Sequence, residues 1–204
     1  NNTDDHKIQV VFKADEPIRS VTAEGHFTPV TRTYDPLYHI QDHMPTQDPE
    51  LPVSGGPIQR FVALADQTLA THGLTEYEVA GPELRLTLMR AFGYLSRGDT
   101  GVRGAQAGPP FATPEGQCLD RLQRYRYAWL PQPAAVSDLY GEADVFYGCV
   151  WAEPGRASDA VADMARQSLL ALENPQVRIS RLRRVPGGVS LRLLNPTETD
   201  QAVV

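Results

Sequence analysis

The sequence predicts a mainly β protein: a large antiparallel β-sandwich to about residue 133, followed by a smaller unit over 134–204 with one short helix and a β-hairpin. Period-two alternation and clusters of β-branched or aromatic residues, bounded by Pro and Gly, occur far more often than helical periodicity. A chain of 204 residues with 41% hydrophobic content can also bury a substantial core. We find no internal repeat and no low-complexity tract.

The first strands are expected before residue 35. The segment HKIQVVFK places Ile8, Val10 and Phe12 on one face of a strand. The segment IRSVTAEGHFTPVTR predicts one or two further short strands. Residues 35–57 are rich in proline and lack a regular period, which predicts an extended surface loop.

The remaining strands of the sandwich are expected in RFVALAD, LATHGL, TEYEVAGPELRLTLMRAFGYL and LDRLQRYRYAWLP. In the third of these, AGP is typical of a hairpin turn. We therefore expect the run that carries Tyr77 and Val79 to pair with the run that carries Leu84, Leu86 and Leu88.

The smaller unit is predicted from two segments. Over 158–172, Ser158 or Asp159 can cap a short amphipathic helix that stops at Asn174-Pro175, with apolar residues at Val161, Met164, Ala165, Leu169 and Leu172. After it, QVRISRLRRVPGGVSLRLLNP predicts a hairpin that turns at PGG.

Composition and charge exclude several classes of function. A net charge of −6 leaves no basic surface for nucleic acid, and no apolar run is long enough to cross a bilayer. Cys118 and Cys149 lie far apart without CxxC spacing, which favours buried or half-buried thiols in a reducing cytoplasm. Because there is no initiator Met and the chain stops in an apolar stretch, we interpret it as a piece of a longer protein.

The segment HIQDH is the best local candidate for a metal site. His39, Asp42 and His43 are ligand types that suit zinc. A Pro-rich loop offers no rigid frame, however, and no further ligand is evident nearby, so solvated loop residues are the favoured interpretation. The single histidines His6, His26 and His72 are interpreted as ordinary hydrogen-bonded residues.

Nucleophilic and aromatic candidates are few. There is no GxSxG elbow, and neither cysteine has a basic partner close in sequence. Tyr125, Tyr127 and Trp129 alternate along one predicted strand. Packing into the core is the favoured interpretation of such a run, whereas an exposed run would form a platform on which a sugar stacks.

Five segments, in order along the chain, resemble the C-terminal region of glycoside hydrolase family 38, the zinc-dependent α-mannosidases, and most of all the bacterial mannosylglycerate-hydrolase-like branch. The segments are NNTDDHKIQVVF, RFVALADQTLATHGLTEYEV, LRLTLMRAFGYLSRGDTGVRGAQAGPP, TPEGQCLDRLQRYRYAWLP and VRISRLRRVPGGVSLRLLNP. Together they cover most of the chain, whereas the Pro-rich loop and residues 134–175 match poorly.

The resemblance implies a retaining exoglycosidase in which an aspartate attacks the anomeric carbon, a second acid protonates the leaving oxygen, and a zinc ion grips the terminal mannose. These groups belong to an N-terminal catalytic barrel, which would be this chain's partner together with a mannoside substrate. None has a matching position here, so no catalytic residue or zinc ligand is assigned to this chain. The resemblance also implies that the large sandwich is part of a supersandwich of the galactose-mutarotase type.

The resemblance assigns a role to the segment GYLSRGDTGVRG, residues 93–104. It implies a loop near the sugar cleft, with Arg97, Asp99 and Arg103 as the substrate-binding candidates. An arginine suits paired oxygens, although an Arg–Asp pair that only braces its own loop is equally compatible with the residues. The Arg97-Gly98-Asp99 adhesion motif and a phosphate-binding loop are both disfavoured, since no P-loop pattern is present.

The expected function is therefore that of a non-catalytic β region of an α-mannosidase-type hydrolase, which supports and lines the sugar cleft. The alternative is a carbohydrate-binding or interaction sandwich without any catalytic partner. The two differ in whether the sugar is held by a cleft loop or by an exposed aromatic platform.

Overall fold

The computed structural model describes residues 4–35, 53–96, 108–118, 120–131, 135–148 and 170–203. The chain divides into two compact units, Asn1–Pro133 and Ala134–Val204. The described strands of the first unit are β1 (Lys7–Lys13), β2 (Ser20–Glu24), β3 (Pro29–Thr33), β4 (Gly55–Pro57), β5 (Phe61–Ala63), β6 (Thr68–His72), β7 (Glu76–Ala80), β8 (Glu83–Arg90), β9 (Tyr94–Ser96), β10 (Phe111–Ala112) and β11 (Arg126–Leu130).

Two antiparallel sheets form the sandwich of the first unit, and β9 and β10 pair as a separate ribbon. One has the order β1-β8-β7-β4, and the other has the order β11-β6-β5-β2-β3. The hairpin of β7 and β8 turns at Gly81, whose φ of +58° suits a residue without a Cβ. Tyr77 lies opposite Leu86, and Val79 lies opposite Leu84, as the AGP turn predicts.

The core lies between the two sheets, because the alternating apolar side chains of each sheet point towards the other. Tyr77, Leu84 and Leu86 come from the first sheet, and Val62 and Leu69 come from the second; all are fully buried. The Tyr77 hydroxyl is paired with the Tyr34 hydroxyl at 2.8 Å, so this polar group inside the core is satisfied. The predicted mainly β architecture with a large antiparallel sandwich is confirmed.

A buried ion pair lies in the second sheet. The Glu24 carboxylate at the end of β2 is 6% exposed. Arg60, just before β5, donates from Nε to Glu24 Oε2 at 2.9 Å and from a terminal nitrogen to Oε1 at 2.5 Å. This two-point geometry neutralises a charge that would otherwise be costly to bury.

The second unit contains helix α1 (Val136–Tyr147) and strands β12 (Arg178–Val185) and β13 (Gly188–Leu194). Leu139 and Ala143 are one helical turn apart, and both are buried, as is Tyr140 between them. The helix ends at Gly148 in the left-handed conformation, with its amide donating to the carbonyl of Asp144.

Strands β12 and β13 form the predicted hairpin. A register shift between Ile179 and Arg181 places Ile179 opposite Leu193, while Leu182 lies opposite Leu191. The shift therefore brings apolar residues at uneven spacing onto one face of the ribbon.

Two sequence expectations differ from the structure. Helix α1 was not predicted. Most of the helix expected over 158–172 lies outside the described residues, and the part that the structure describes, from residue 170 onward, is not helical. Val10 and Phe12 pack against the core as expected, but Ile8 is 40% exposed. Ile8 lies next to an irregularity in the pairing of β1 with β8, which disturbs the strand end.

Among the described residues, no helix is long and apolar enough to cross a membrane.

Candidate functional site

The predicted substrate-binding residues Arg97, Asp99 and Arg103 lie outside the described residues. The structure does describe both ends of the segment that carries them. Strands β9 and β10 pair, with Phe111 opposite Ser96, and the Ser96 hydroxyl donates to the carbonyl of Gly108 at 2.9 Å. The residues that flank 97–107 therefore lie together in one place, which we call the loop base (residues 92–96 and 108–118).

Asp5, which lies far from the loop base in the sequence, joins the two sides of this base. The Asp5 carboxylate accepts hydrogen bonds from the Gly93 amide and from the Gln117 side chain, both at 2.9 Å. The Asp5 amide in turn donates to Gln117 Oε1 at 2.8 Å. Asp5, two residues before β1, and Gln117 thus form a reciprocal pair, and Asp5 also binds Gly93 on the other side of the base.

The backbone of the loop base is packed as closely as glycine allows. The Phe92 amide donates to the Gly116 carbonyl at 3.0 Å, and the Thr113 amide donates to the Gly93 carbonyl at 2.7 Å. A Cβ on Gly116 would lie 2.4 Å from the carbonyl oxygen of Phe92, and one on Gly93 would lie 2.7 Å from Gln117 Nε2. Position 116 therefore requires glycine, because its neighbour is backbone, whereas a Cβ at position 93 would displace the amide of Gln117.

Unusual backbone conformations also occur at this base. Asp5, Cys118 and Asp120 adopt positive φ angles of 46°, 52° and 53°. Aspartate tolerates this region, but Cys118 does so at a cost that the surrounding contacts must outweigh. Such residues are frequent near functional sites, where the fold fixes the course of the chain.

Apolar side chains on and beside the loop base are exposed. Phe92, Tyr94, Leu95 and Phe111 all have more than a third of their surface accessible. A cluster of exposed large apolar residues is typical of a surface that meets another part of a protein or a ligand. The loop base thus combines a rigid backbone with a surface suited to contact.

A groove also lies along the first sheet. It has a volume of about 860 Å³ and is lined in part by Glu76, Glu78, Glu83, Arg85 and Arg90. Its carboxylates all have partners: Lys7 and Gln9 bind Glu78, Arg90 binds Glu76 at 2.8 Å, and Arg85 binds Glu83 at 2.7 Å. The glutamates of this groove are therefore balanced by neighbouring basic or amide groups.

The ionisation of Glu78 follows from these partners. Burial alone would raise the pKa of its carboxyl, but hydrogen bonds from Lys7 and Gln9, together with the charges of Lys7 and Arg85, hold the pKa below the ordinary glutamate value. Because the pKa of Glu78 is lower in the folded chain than in the unfolded chain, its ionised carboxylate stabilises the fold at pH values above the unfolded-state pKa. This stabilisation is lost as the pH falls through the folded-state pKa.

We expect Lys7→Gln to raise the pKa of Glu78, because it removes a direct donor and a positive charge. The variant should then lack part of the stability that the native chain keeps near neutral pH and loses below about pH 4. The measurement is an NMR titration of the Glu78 side-chain carbon, with the exposed Lys13→Gln as control. An unchanged Glu78 titration in Lys7→Gln would contradict the assigned cause.

The metal candidates His39, Asp42 and His43 lie outside the described residues, as does Cys149. Within the described part of the chain, no three His, Cys, Asp or Glu residues come together as possible metal ligands. Cys118 is half-buried and not in a disulfide. His26 lies 3.5 Å from the Gln59 side chain, which fits an ordinary hydrogen-bonded histidine.

The three aromatic residues on and just before β11 do not share one environment: one packs against the core, and two are exposed. Tyr125, just before the strand, packs against the core, and its hydroxyl is buried. Burial raises the pKa of that phenol. Tyr127 and Trp129 are exposed instead, at 39% and 55%. The prediction that the aromatic run packs into the core is therefore wrong for Tyr127 and Trp129.

Sequence reasoning missed Asp5 and Gln117. They lie 112 residues apart, and neither belongs to a motif that would predict their pairing. Glycines in GYLSRGD and TPEGQC were the available signals, because glycine often marks a close approach of backbone.

Comparison with known proteins gives three similarities. A curated protein of Halalkalibacterium halodurans named "Putative mannosylglycerate hydrolase" is 32% identical over 143 residues, which is 67% of this chain and 13% of that protein. A solved structure of a glycosyl hydrolase family 38 protein from Enterococcus faecalis is 22% identical, with a TM-score of 0.62; the match spans 100% of this chain and 22% of that protein's chain. An α-mannosidase structure from Enterococcus faecalis V583 is 26% identical, with a TM-score of 0.45; the match spans 70% of this chain and 15% of that protein's chain. No family model matches the chain.

Proposed function

Since the predicted resemblance to glycoside hydrolase family 38 is confirmed by a curated relative and by a shared fold, we propose that this chain is the C-terminal β region of an α-mannosidase-type retaining hydrolase. It supports the sugar cleft and lines one wall of it, and the N-terminal barrel supplies the reacting groups. The chain spans only 13% of the curated relative, which agrees with a part that works inside a larger enzyme.

The observation that carries the proposal is the 32% identity to a protein named as a hydrolase of a mannose derivative, over two thirds of this chain. The loop base adds physical support. A segment that carries Arg97, Asp99 and Arg103 leaves from a base fixed by Asp5 and Gln117. Because binding groups lose less entropy when their support is already ordered, this base suits a loop that contacts substrate.

In this proposal, the side chains of segment 97–103 bind oxygen atoms of the substrate or of a barrel carboxylate. A guanidinium presents parallel donors to a carboxylate or to neighbouring sugar hydroxyls, so Arg97 or Arg103 can orient the mannoside or brace a carboxylate of the barrel. Asp99 can accept from a sugar hydroxyl or fix one of these arginines. These contacts position the substrate while the bond is cleaved elsewhere.

Zinc belongs to the barrel in this proposal. Within the described ranges, the side chains do not form a set of three ligands, and no step of this chain passes through the metal. The exposed apolar residues of the loop base then contact the barrel, so that the cleft forms between the two parts of the enzyme.

The test is made on the longer natural chain that contains residues 1–204. It should cleave an aryl α-mannoside with retention of configuration, as followed by NMR of the released sugar, and Arg97→Ala or Arg103→Ala should weaken cleavage. Activity confined to a different class of sugar would overturn the substrate assignment. Full activity after removal of residues 97–107 would overturn the role in the cleft.

The 204-residue chain alone is expected not to cleave an aryl α-mannoside, with or without added zinc. Both reacting carboxyl groups are assigned to the barrel, so the isolated chain has no means of forming or breaking the glycosyl bond. The assay compares release of the aryl group with that from a heat-denatured sample. Turnover above this blank would show that the chemistry resides in the chain itself.

A further inference from the structure

The open edge of the sandwich brings together β1, at the end of the first sheet, and β11, at the end of the second. The rings of Phe12 and Tyr127 join the two strands edge to face, with centroids 5.9 Å apart and planes at 85°. Trp129 lies two residues further along β11, opposite Leu69.

Trp129 is held in place although more than half of it is exposed. Its indole Nε1 donates to Gln67 Oε1 at 3.0 Å, and Gln67 Nε2 donates to the carbonyl of Lys13 at 3.2 Å. Gln67 is only 5% exposed. A buried amide therefore orients an exposed indole, and the ring is fixed before any ligand arrives.

Tyr127 and Trp129 lie on the same face of the strand, because side chains alternate along β structure. A rise of about 3.3 Å per residue separates their positions by roughly 6–7 Å. Together the two rings form a small exposed aromatic surface, which we call the edge platform (Tyr127 and Trp129). Lys13, whose carbonyl accepts from Gln67, and Asp66, the residue before Gln67, are both exposed and supply polar groups near this support.

We propose that the edge platform is a saccharide-binding site that stacks the apolar face of a pyranose ring against Trp129. The C–H groups on one face of a pyranose suit the electron-rich face of an indole. The Tyr127 hydroxyl can donate to or accept from a sugar hydroxyl. An amphipathic ring of this size matches two aromatic side chains in a polar surround, whereas a protein partner would need a much larger apolar area.

The proposal does not depend on the hydrolase assignment, because the experiment measures binding alone. The 204-residue chain has two tryptophans. Replacing Trp151 by Phe makes intrinsic fluorescence report on Trp129. Titration with methyl α-mannopyranoside and with cellobiose should give a saturable change at millimolar concentration for at least one of the two sugars.

The variants separate stacking from folding. Trp129→Ala should weaken binding about tenfold or more, measured by NMR line broadening of the sugar, while Trp129→Phe keeps part of it. Gln67→Met should weaken binding because the ring loses its orienting partner, and circular dichroism checks its fold. The matched control is Phe27→Ala, which removes an aromatic ring that is 72% exposed at a different place and should leave binding unchanged.

Three results would overturn the proposal. Neither sugar saturates the chain at any soluble concentration; Trp129→Ala binds the sugar as the parent does; or Trp129→Ala and the control Phe27→Ala weaken binding equally. If neither sugar binds and Trp129→Ala changes the oligomeric state seen by light scattering, the edge platform is a protein contact instead.

Discussion

Arg60→Met is expected to lower the free energy of unfolding by about 3–5 kcal/mol, because it leaves the Glu24 carboxylate buried without its partner. The Arg60 guanidinium contacts both carboxylate oxygens, so no remaining group replaces the two-point contact in full. Urea unfolding of the 204-residue chain, followed by fluorescence, measures the change.

Two companion variants make this result specific. Arg90→Met removes a guanidinium of an exposed pair with Glu76 and should cost no more than about 1 kcal/mol. The double variant Glu24→Gln with Arg60→Met removes the buried charge as well, and should be more stable than Arg60→Met alone. If Arg60→Met and Arg90→Met cost the same, the fold does not depend on pairing of the Glu24 charge.

In the longer enzyme, Ala at whichever of Arg97 and Arg103 contacts the sugar should lower kcat/KM by a factor of about 10–150, since a charge-assisted contact contributes roughly 1.5–3 kcal/mol. The melting temperature should change little, because exposed loop substitutions usually alter stability by about 0.5 kcal/mol or less. Steady-state kinetics and a thermal melt of the same samples give both values.

Arg19→Ala is the matched control for this pair, because Arg19 is an exposed arginine of the same unit outside the loop. It should retain the kinetics of the native enzyme. Native kinetics in both loop variants with a lowered melting temperature would instead assign Arg97, Asp99 and Arg103 to bracing of their own loop.

Local patterns predicted most of the strands, because the sheets are built from short segments that alternate in polarity and end at Gly or Pro. The AGP turn predicted that the two runs beside it pair, and the short turn then sets the observed register of Tyr77 opposite Leu86. The hairpin of the second unit was predicted in the same way, although the shift beside Ile179 was not.

Helix α1 was missed because its signals conflict. Gly141 lies in its centre and is unfavourable in a helix, by about 1 kcal/mol relative to Ala. The apolar positions Leu139, Tyr140 and Ala143 and the terminal Gly148 nevertheless fit a short amphipathic helix. Tertiary burial of this face outweighed the local preference.

The contacts of the candidate sites could not be predicted from the sequence, because they join residues far apart in it. Asp5 meets Gln117, and Gln67 meets Trp129 across 62 positions. Alternation predicted that Tyr127 and Trp129 share a face, but an edge strand exposes part of the face that a central strand buries. Only the order of strands, with β11 at the end of its sheet, decides that Trp129 is accessible.

The closed loop base has a consequence for how related proteins can diverge. Because Ser96 meets Gly108 and Asp5 clamps Gly93 to Gln117, the geometry of the sheet is decided before residue 97 and after residue 107. Insertions and deletions between these points are expected to leave the strand register untouched, since β9 and β10 pair outside them and a longer connection adds little entropic cost. Length and sequence between residues 97 and 107 can therefore vary among related proteins while the strands on either side keep their pairing.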